Sequence, residues 1–332
     1  MSYKVYVTRK ILEPALSMLS RECQVTLNKK PRPPSRAEML KNAAGKDGIL
    51  CMLLDRMDAQ VMDAAGPGLK VISSYSTGFE HIDVKEATAR GIYITYTADI
   101  LAEATADLTF ALILACARGI VNADRYVREN GWKAGWSPDL MLGYNVHGAT
   151  LGIIGLGRIG AAVAKRAKGF DMKILYYSRS RNLKLESELS AKYADLGDLL
   201  AQSDFVSIHA SLNGASHHLI DRSKLRQMKK TAFLVNTARG QVVNEADLAR
   251  ALKGSQIAGA ALDVFEAEPL AKTSPLLKMK NVVLLPHIGS ATYQTRSNMA
   301  EVAARNLLDV LAGKRPDPRF LVNPEVRNMR PL

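Results

Sequence analysis

The chain has 332 residues, 47% of them hydrophobic and 23% charged, with a formal net charge of +13. That length exceeds what one ordinary core supports, since single cores stop growing near ~250–300 residues, and it is ample for two. The basic excess raises a polyanion as partner, but Lys and Arg are scattered, and the densest runs (29–36 and 179–184) are short and lack interleaved aromatics, so no nucleic-acid role is expected.

The N-terminus enters an alternating strand-like pattern at once and lacks the apolar core of a secretory leader. The apolar stretch 110–117 falls far short of the ~20 residues of a membrane span, so a cytoplasmic protein with no membrane partner is expected. Residues 4–8, 24–27, 48–53, 71–74 and 92–96 read as strands. Helical patterns lie between them, around 14–20 and from Ser35 onward, which is the rhythm of a parallel sheet covered by helices. An Ala- and Leu-rich helix follows over 103–118, then a looser segment with Trp132, Trp136 and Pro138. A second series of strands is expected at 150–154, 173–177, 205–208, 232–236, 259–263 and 282–285, again separated by helices. The tail 290–312 is an amphipathic helix, and the Pro-rich end after it has no evident partner. The expected fold class is therefore α/β with two doubly wound parallel-sheet domains. Hinges are expected near 99 and 288, giving a discontinuous domain of 1–98 with 289–332 and an inserted domain of 99–288. Cys23, Cys51 and Cys116 are odd in number and set in apolar sequence, which points to core residues rather than to a disulfide or a metal site.

The sharpest local signal is Leu151-Gly-Ile-Ile-Gly-Leu-Gly-Arg-Ile-Gly160, a strand running into Gly155-x-Gly157-x-x-Gly160 and a helix. Gly155 permits a tight turn, Gly157 lets backbone approach a pyrophosphate, and Gly160 lets helix pack on strand. The free N–H groups of the helix start, including those of Arg158 and Ile159, then face the phosphates. At the end of the next strand, an acid pairs with the ribose hydroxyls of NAD and repels the extra phosphate of NADP. Ser178 stands there instead, followed by Arg179, Ser180 and Arg181, so a hydroxyl and two guanidinium groups await a phosphate. NADPH is the expected cofactor and NADH the alternative.

Three further residues follow strands of the second series, where ligands of open α/β sheets gather. They are Arg239 in Val235-Asn-Thr-Ala-Arg-Gly240, Glu268 in Leu262-Asp-Val-Phe-Glu-Ala-Glu-Pro269, and His287 in Leu284-Leu-Pro-His-Ile-Gly-Ser290. Each alone is ambiguous, because an Arg after a strand is usually a surface residue and a lone His usually a structural one. Together with Gly78-Phe-Glu-His-Ile-Asp83, Glu103-Ala-Thr-Ala-Asp107 and the glycine motif, in that order along the chain, they resemble the D-2-hydroxyacid dehydrogenase family. Within it, the glyoxylate and hydroxypyruvate reductases look most similar.

The resemblance implies a flavodoxin-like substrate domain, a Rossmann-type cofactor domain and an active site in the cleft between them. It also implies NADPH-dependent reduction of a small anionic 2-keto acid, such as glyoxylate or hydroxypyruvate, to the D-2-hydroxy acid. Arg239 would bind the carboxylate and keto oxygen, where a fixed cation stabilises developing charge. His287 would be the general acid, and Glu268 would hold its imidazole and raise its pKa. Thr77 and Gly78 would present backbone N–H groups to the substrate carboxylate, and Leu53 would form a wall of the pocket. Thr105 matches a residue near the cofactor phosphates, Ala238 contributes backbone, and Asp263 matches the acid that holds the nicotinamide carboxamide. His209 is read as either a cofactor contact or a structural residue, and His81, His147, His217 and His218 as surface or packing residues.

The segment Ser207-Ile-His-Ala-Ser-Leu212 departs from the family pattern, with Ser211 where proline is common, which puts the shape of the following loop in doubt. Trp132 and Trp136 lie in a segment that forms a subunit-embracing arm in the family, so a homodimer is expected, with Trp136 or Leu140 as candidates to reach the partner's site. The alternatives are other 2-keto acids, phosphite, or a redox-sensing corepressor-like module. Thr77 stands where phosphite-oxidising relatives carry Lys, and the chain lacks long low-complexity flanks, which weighs against the last two.

Overall fold

Short apolar strands separated by helices pair readily in parallel, because each helical crossover returns the chain to the same end of the sheet. In the computed structural model, which describes residues 2–332, this yields two sheets. The first contains β1 (Tyr3–Val7), β2 (Cys23–Leu27), β3 (Gly48–Cys51), β4 (Val71–Ser74) and β5 (Tyr93–Thr95), in the order β2-β1-β3-β4-β5, all parallel. The second contains β6 (Thr150–Ile154), β7 (Lys173–Tyr177), β8 (Ala191–Tyr193), β9 (Phe205–Ile208), β10 (Phe233–Asn236), β11 (Gly259–Leu262) and β12 (Val282–Leu284). Its order is β12-β11-β10-β9-β6-β7-β8, again all parallel. Inner strands such as β3, β4, β9, β10 and β11 are buried at every residue, which is why they read as continuous apolar runs rather than as alternation.

The chain divides into two compact units, Met1–Leu101 with Ala291–Leu332, and Ala102–Ser290. The last helix, Tyr293–Leu311, belongs to the first unit because its apolar stripe, including Ala300, Ala303, Ala304, Leu307, Val310 and Leu311, is buried in the core that β1, β3 and β4 line. Small alanines allow close approach, and Ser73 Oγ donates to the Ala303 carbonyl at 2.8 Å. Most helical stability in proteins comes from packing an apolar face, and this burial, worth ~1.5–3 kcal/mol for each large side chain, is what holds the helix here.

Both orders place a switch point where neighbouring strands lead off in opposite directions, between β1 and β3 in the first sheet and between β6 and β9 in the second. Loops splay apart there and leave room for ligands. The segment carrying Leu53 follows β3, the glycine motif follows β6, and His209 follows β9.

Three features differ from expectation. The segment after residue 118 is a further helix, Ile120–Arg128, which buries none of its side chains and so has no core stripe to betray it. β8, only three residues long, adds a seventh strand to the second sheet. The Pro-rich end does find a partner: Val322 N donates to the Ile94 carbonyl (2.9 Å), and the Asn323 side chain accepts from Ile94 N (2.9 Å) and donates to Ile92 O (3.0 Å), which seals the β5 edge. Trp132 and Trp136 are 55% and 82% exposed, so neither fills a core in this chain. Among the described residues no single helix is long and apolar enough to cross a membrane.

Candidate active site

The glycine motif is shaped by contacts that only glycine permits. Gly155 has φ +98°, and a Cβ there would lie 2.8 Å from the His209 carbonyl, while a Cβ on Gly160 would lie 2.1 Å from the Gly155 oxygen. At Gly157 a Cβ would meet nothing within 4 Å, so the backbone borders open space. The helix that follows, Arg158–Lys168, has no side-chain cap, and its first N–H groups remain available to an anion. Leu156 N donates to Ser178 Oγ (2.9 Å), which fastens the end of β7 to the loop through the hydroxyl that stands where an acid would bind ribose. These features fit a dinucleotide.

Arg179 and Ser180 are exposed beside Ser178. Arg181, expected to be available as a second guanidinium, is committed elsewhere. It donates to Glu186 at 2.7 and 2.9 Å and lies over the Tyr193 ring, and this hydrogen bonding holds the Glu186 carboxyl down to about 2. The pair neutralises the nearby acid and leaves Arg179 as the candidate phosphate ligand.

The loops after β10, β11 and β12 converge. Asn236, the last residue of β10, braces its own loop: its Oδ1 accepts from Ala238 N (3.0 Å) and its Nδ2 donates to Arg239 O (2.9 Å). Gly240 then packs backbone to backbone on the next loop, where a Cβ would come within 1.8 Å of the Phe265 carbonyl carbon, and any larger residue would push the two loops apart. Gln241 Nε2 adds a bond to Glu266 O (2.7 Å). Arg239 is thereby held against the segment that carries Glu268.

His287 Nδ1 lies 2.7 Å from Glu268 Oε2, with both side chains partly buried. Burial pushes the Glu268 carboxyl up, but the hydrogen bond and charge of His287, with help from Phe265 N and Arg239, outweigh it and leave the group below its ordinary value. Glu268 is therefore a carboxylate, so Nδ1 donates and Nε2 is the end left to face a substrate. His287 itself has φ +55°, a conformation side chains seldom adopt, and its surroundings enforce it. Its N–H donates to the Asp263 carbonyl (2.9 Å), and the Asp263 carboxylate accepts from Ile288 N and Gly289 N, both at 2.8 Å.

Asp263 has no exposed surface, and its two carboxylate oxygens brace the His287 loop. Thr105, also buried, packs against Gly289 beside that brace. Sequence reading passed over Glu266 and took His218 for a surface or packing residue. Glu266 Oε1 accepts from Glu245 N (2.9 Å) and lies 2.9 Å from His218 Nε2, which pins the 265–268 segment. The signal was present in the first acid of Phe-Glu-Ala-Glu, but its partners lie about twenty or more residues away.

In the first unit, Leu53 sits in a turn closed by Asp55, whose N–H donates to Met52 O and whose Oδ2 accepts from Met52 N (2.8 Å) and Thr8 Oγ1. Burial raises the Asp55 carboxyl, and those two bonds work against the rise. Thr77 and Gly78 follow β4 in a loop crossed by a 2.6 Å bond from Ser76 Oγ to Gly78 O.

With this geometry in hand, comparison with known proteins is specific. Residues 110–289 match the family model described as D-isomer specific 2-hydroxyacid dehydrogenase, NAD binding domain. The chain is 54% identical over 331 residues to the glyoxylate reductase of Thermofilum pendens, covering 99% of this chain and 97% of that one. Among solved structures, the TT0316 protein from Thermus thermophilus superposes with a TM-score of 0.90 at 45% identity, over 96% of this chain and 99% of that one. An NADPH-dependent glyoxylate/hydroxypyruvate reductase from Sinorhizobium meliloti, in complex with NADP and malonate, gives 0.85 at 28% identity over 98% of each chain.

Proposed function

The chain belongs to the D-isomer specific 2-hydroxyacid dehydrogenase family, an oxidoreductase family with a nicotinamide cofactor, and from that premise we propose that it reduces glyoxylate and hydroxypyruvate with NADPH preferred over NADH. The observation that carries the reading is the His287–Glu268 pair at 2.7 Å, set beside an Arg239 loop that Gly240 locks in place. A bound reduced nicotinamide supplies the hydride. His287 holds a proton at Nε2 and releases it to the keto oxygen, while Glu268 fixes the ring through Nδ1. Arg239 grips the substrate carboxylate and stabilises charge on the oxygen under reduction. Leu53, Thr77 and Gly78 are proposed substrate contacts, and Gly155, Gly157, Arg158, Ile159, Gly160, Ser178, Arg179 and Ser180 proposed cofactor contacts.

Preference for NADPH is supported by Ser178 in place of an acid, by exposed Arg179, and by the neutralised Glu186. The choice of glyoxylate is supported by the 54% identical relative of that activity, and hydroxypyruvate by the Sinorhizobium meliloti enzyme. A homodimer is supported by the helix Ile120–Arg128, which buries no side chain in this chain, and by exposed Trp136 close after it in sequence.

Oxidation of NADPH and of NADH, followed by loss of reduced-nicotinamide absorbance with glyoxylate, hydroxypyruvate and pyruvate in parallel, tests all of this. The expected result is fastest turnover with NADPH and either of the first two acids. Preference for NADH would overturn the cofactor assignment alone, and no turnover with any of them would overturn the substrate assignment.

A further inference from the structure

His81 falls in the Gly78–Asp83 segment, where the proposed reaction uses only Gly78, yet its partly buried ring stands where three pieces of the first unit meet. Nε2 lies 3.2 Å from Ser74 Oγ, at the end of β4, and 3.8 Å from Cys51 Sγ, at the end of β3. Ser74 Oγ lies 2.7 Å from Ser76 Oγ, and Ser76 Oγ lies 2.6 Å from the Gly78 carbonyl. The far end of this chain sets its direction. A carbonyl only accepts, so the single hydroxyl hydrogen of Ser76 goes to Gly78. Ser76 must then accept from Ser74, and Ser74, its own hydrogen used, is left to accept, from His81 as Nε2–H beside the weaker thiol donor of Cys51. Ser74 and Ser76 are both buried, so no solvent replaces a missing donor, and an unmatched hydroxyl there is destabilising. The backbone of the same residue reaches the other substrate-facing segment: Met57 N donates to His81 O (2.8 Å) just beyond the turn that carries Leu53, and Asp83 N donates to Met57 O (2.9 Å).

We propose that His81 is the positioning residue of the Ser76–Gly78 loop, acting through Ser74 and Ser76 to set the peptide planes that present Thr77 and Gly78 to the substrate carboxylate. The inference rests on the reading of Thr77 and Gly78 as substrate contacts. A histidine that merely filled space would leave the loop and the substrate unaffected when replaced by another side chain of similar bulk.

The test uses the full-length protein as His81→Leu, which cannot donate, His81→Gln, whose amide N–H stands in for Nε2–H, and Ser76→Ala, which removes the last link. Two quantities are read: amide hydrogen exchange over residues 74–82, and KM and kcat for glyoxylate with NADPH. Faster exchange at 76–79 and a KM raised about tenfold with kcat within about twofold are expected for the Leu and Ala variants, the scale of one lost hydrogen bond to a buried group. The Gln variant should recover both to within about threefold. Unchanged exchange in His81→Leu, or failure of His81→Gln to recover, would overturn the inference. Faster exchange with KM unaltered would instead overturn the assignment of Thr77 and Gly78 to the substrate. If the wild type turns over no keto acid, the substrate reading fails while the exchange measurement still decides whether His81 orders the loop.

Discussion

Three imidazoles, each in a loop beyond the end of a strand, differ in what lies against the ring. His287, after β12, faces a carboxylate at 2.7 Å; His81, after β4, has a hydroxyl, Ser74 Oγ, and a thiol beside Nε2; and His209, after β9, faces one hydroxyl, Ser207 Oγ, at 2.8 Å. A carboxylate partner fixes the donor nitrogen and compensates a positive ring, so proton transfer is available at the opposite end. Hydroxyl partners offer no charge, and such a ring serves as a fixed donor. At His209, burial drives the ring well toward its neutral form, down to about 3, and its buried Nδ1 has no hydrogen-bond partner among the described residues. The acceptor beside a histidine thus separates an acid from a brace better than its position in a motif does.

Removing the acid end should break this contrast most severely. His287→Ala is expected to lower kcat/KM for glyoxylate by about a thousandfold, within the range general acid catalysis supplies, while leaving NADPH affinity within about twofold. Turnover close to wild type would move the proton donor elsewhere. A smaller loss is expected from Glu268→Gln, which keeps the shape and a hydrogen bond but removes the charge. One charge-assisted bond corresponds to roughly tenfold to a hundredfold in kcat. The Glu268 carboxyl is held below its ordinary value of 4.5, so the stability it lends the pair is present above 4.5 and fades only as pH falls through the lower folded value. In the variant that acid-side decline in stability should shrink; an unchanged pH profile would show that the anion is not what holds the ring.

Much of the scaffold was legible because parallel strands buried on both faces write themselves as apolar runs. The bounds of β4, β6, β7 and β9 follow directly from such runs. β8 did not announce itself, because Ala191-Lys-Tyr193 at a sheet edge carries no such run, and neither did helix Ile120–Arg128, which has no buried face. At the proposed site, the legible residues are those in the loops that follow strands: Arg239, Glu268, His287 and the glycine motif. The hidden ones act through partners distant in sequence, as Asp55 does with Thr8, 47 residues away, or through a relay of common side chains, as His81 does with two serines. Asp263 shows a bracing task that the motif does not reveal, since its identity marks only an acid at that place and its contacts show both oxygens holding the 288–289 backbone.

The smallest expected effect lies with His209 and appears in stability rather than turnover. Its ring is neutral in the folded protein down to about pH 3, whereas in the unfolded chain it takes up a proton below about 6.5. Between those values the unfolded state binds more protons, so stability falls as pH falls, at up to ~1.4 kcal/mol per pH unit from this one site. His209→Gln keeps a donor for Ser207 without a titrating ring. Urea unfolding of both proteins between pH 7 and pH 5 should therefore show the wild type losing stability faster, with the gap between the two changing in the variant's favour as acid is added. Parallel curves would mean that His209 is as readily protonated in the fold as out of it. The ring would then stand closer to His287 than to a neutral brace, and the rule drawn from their acceptors would fail at the switch point of the second sheet.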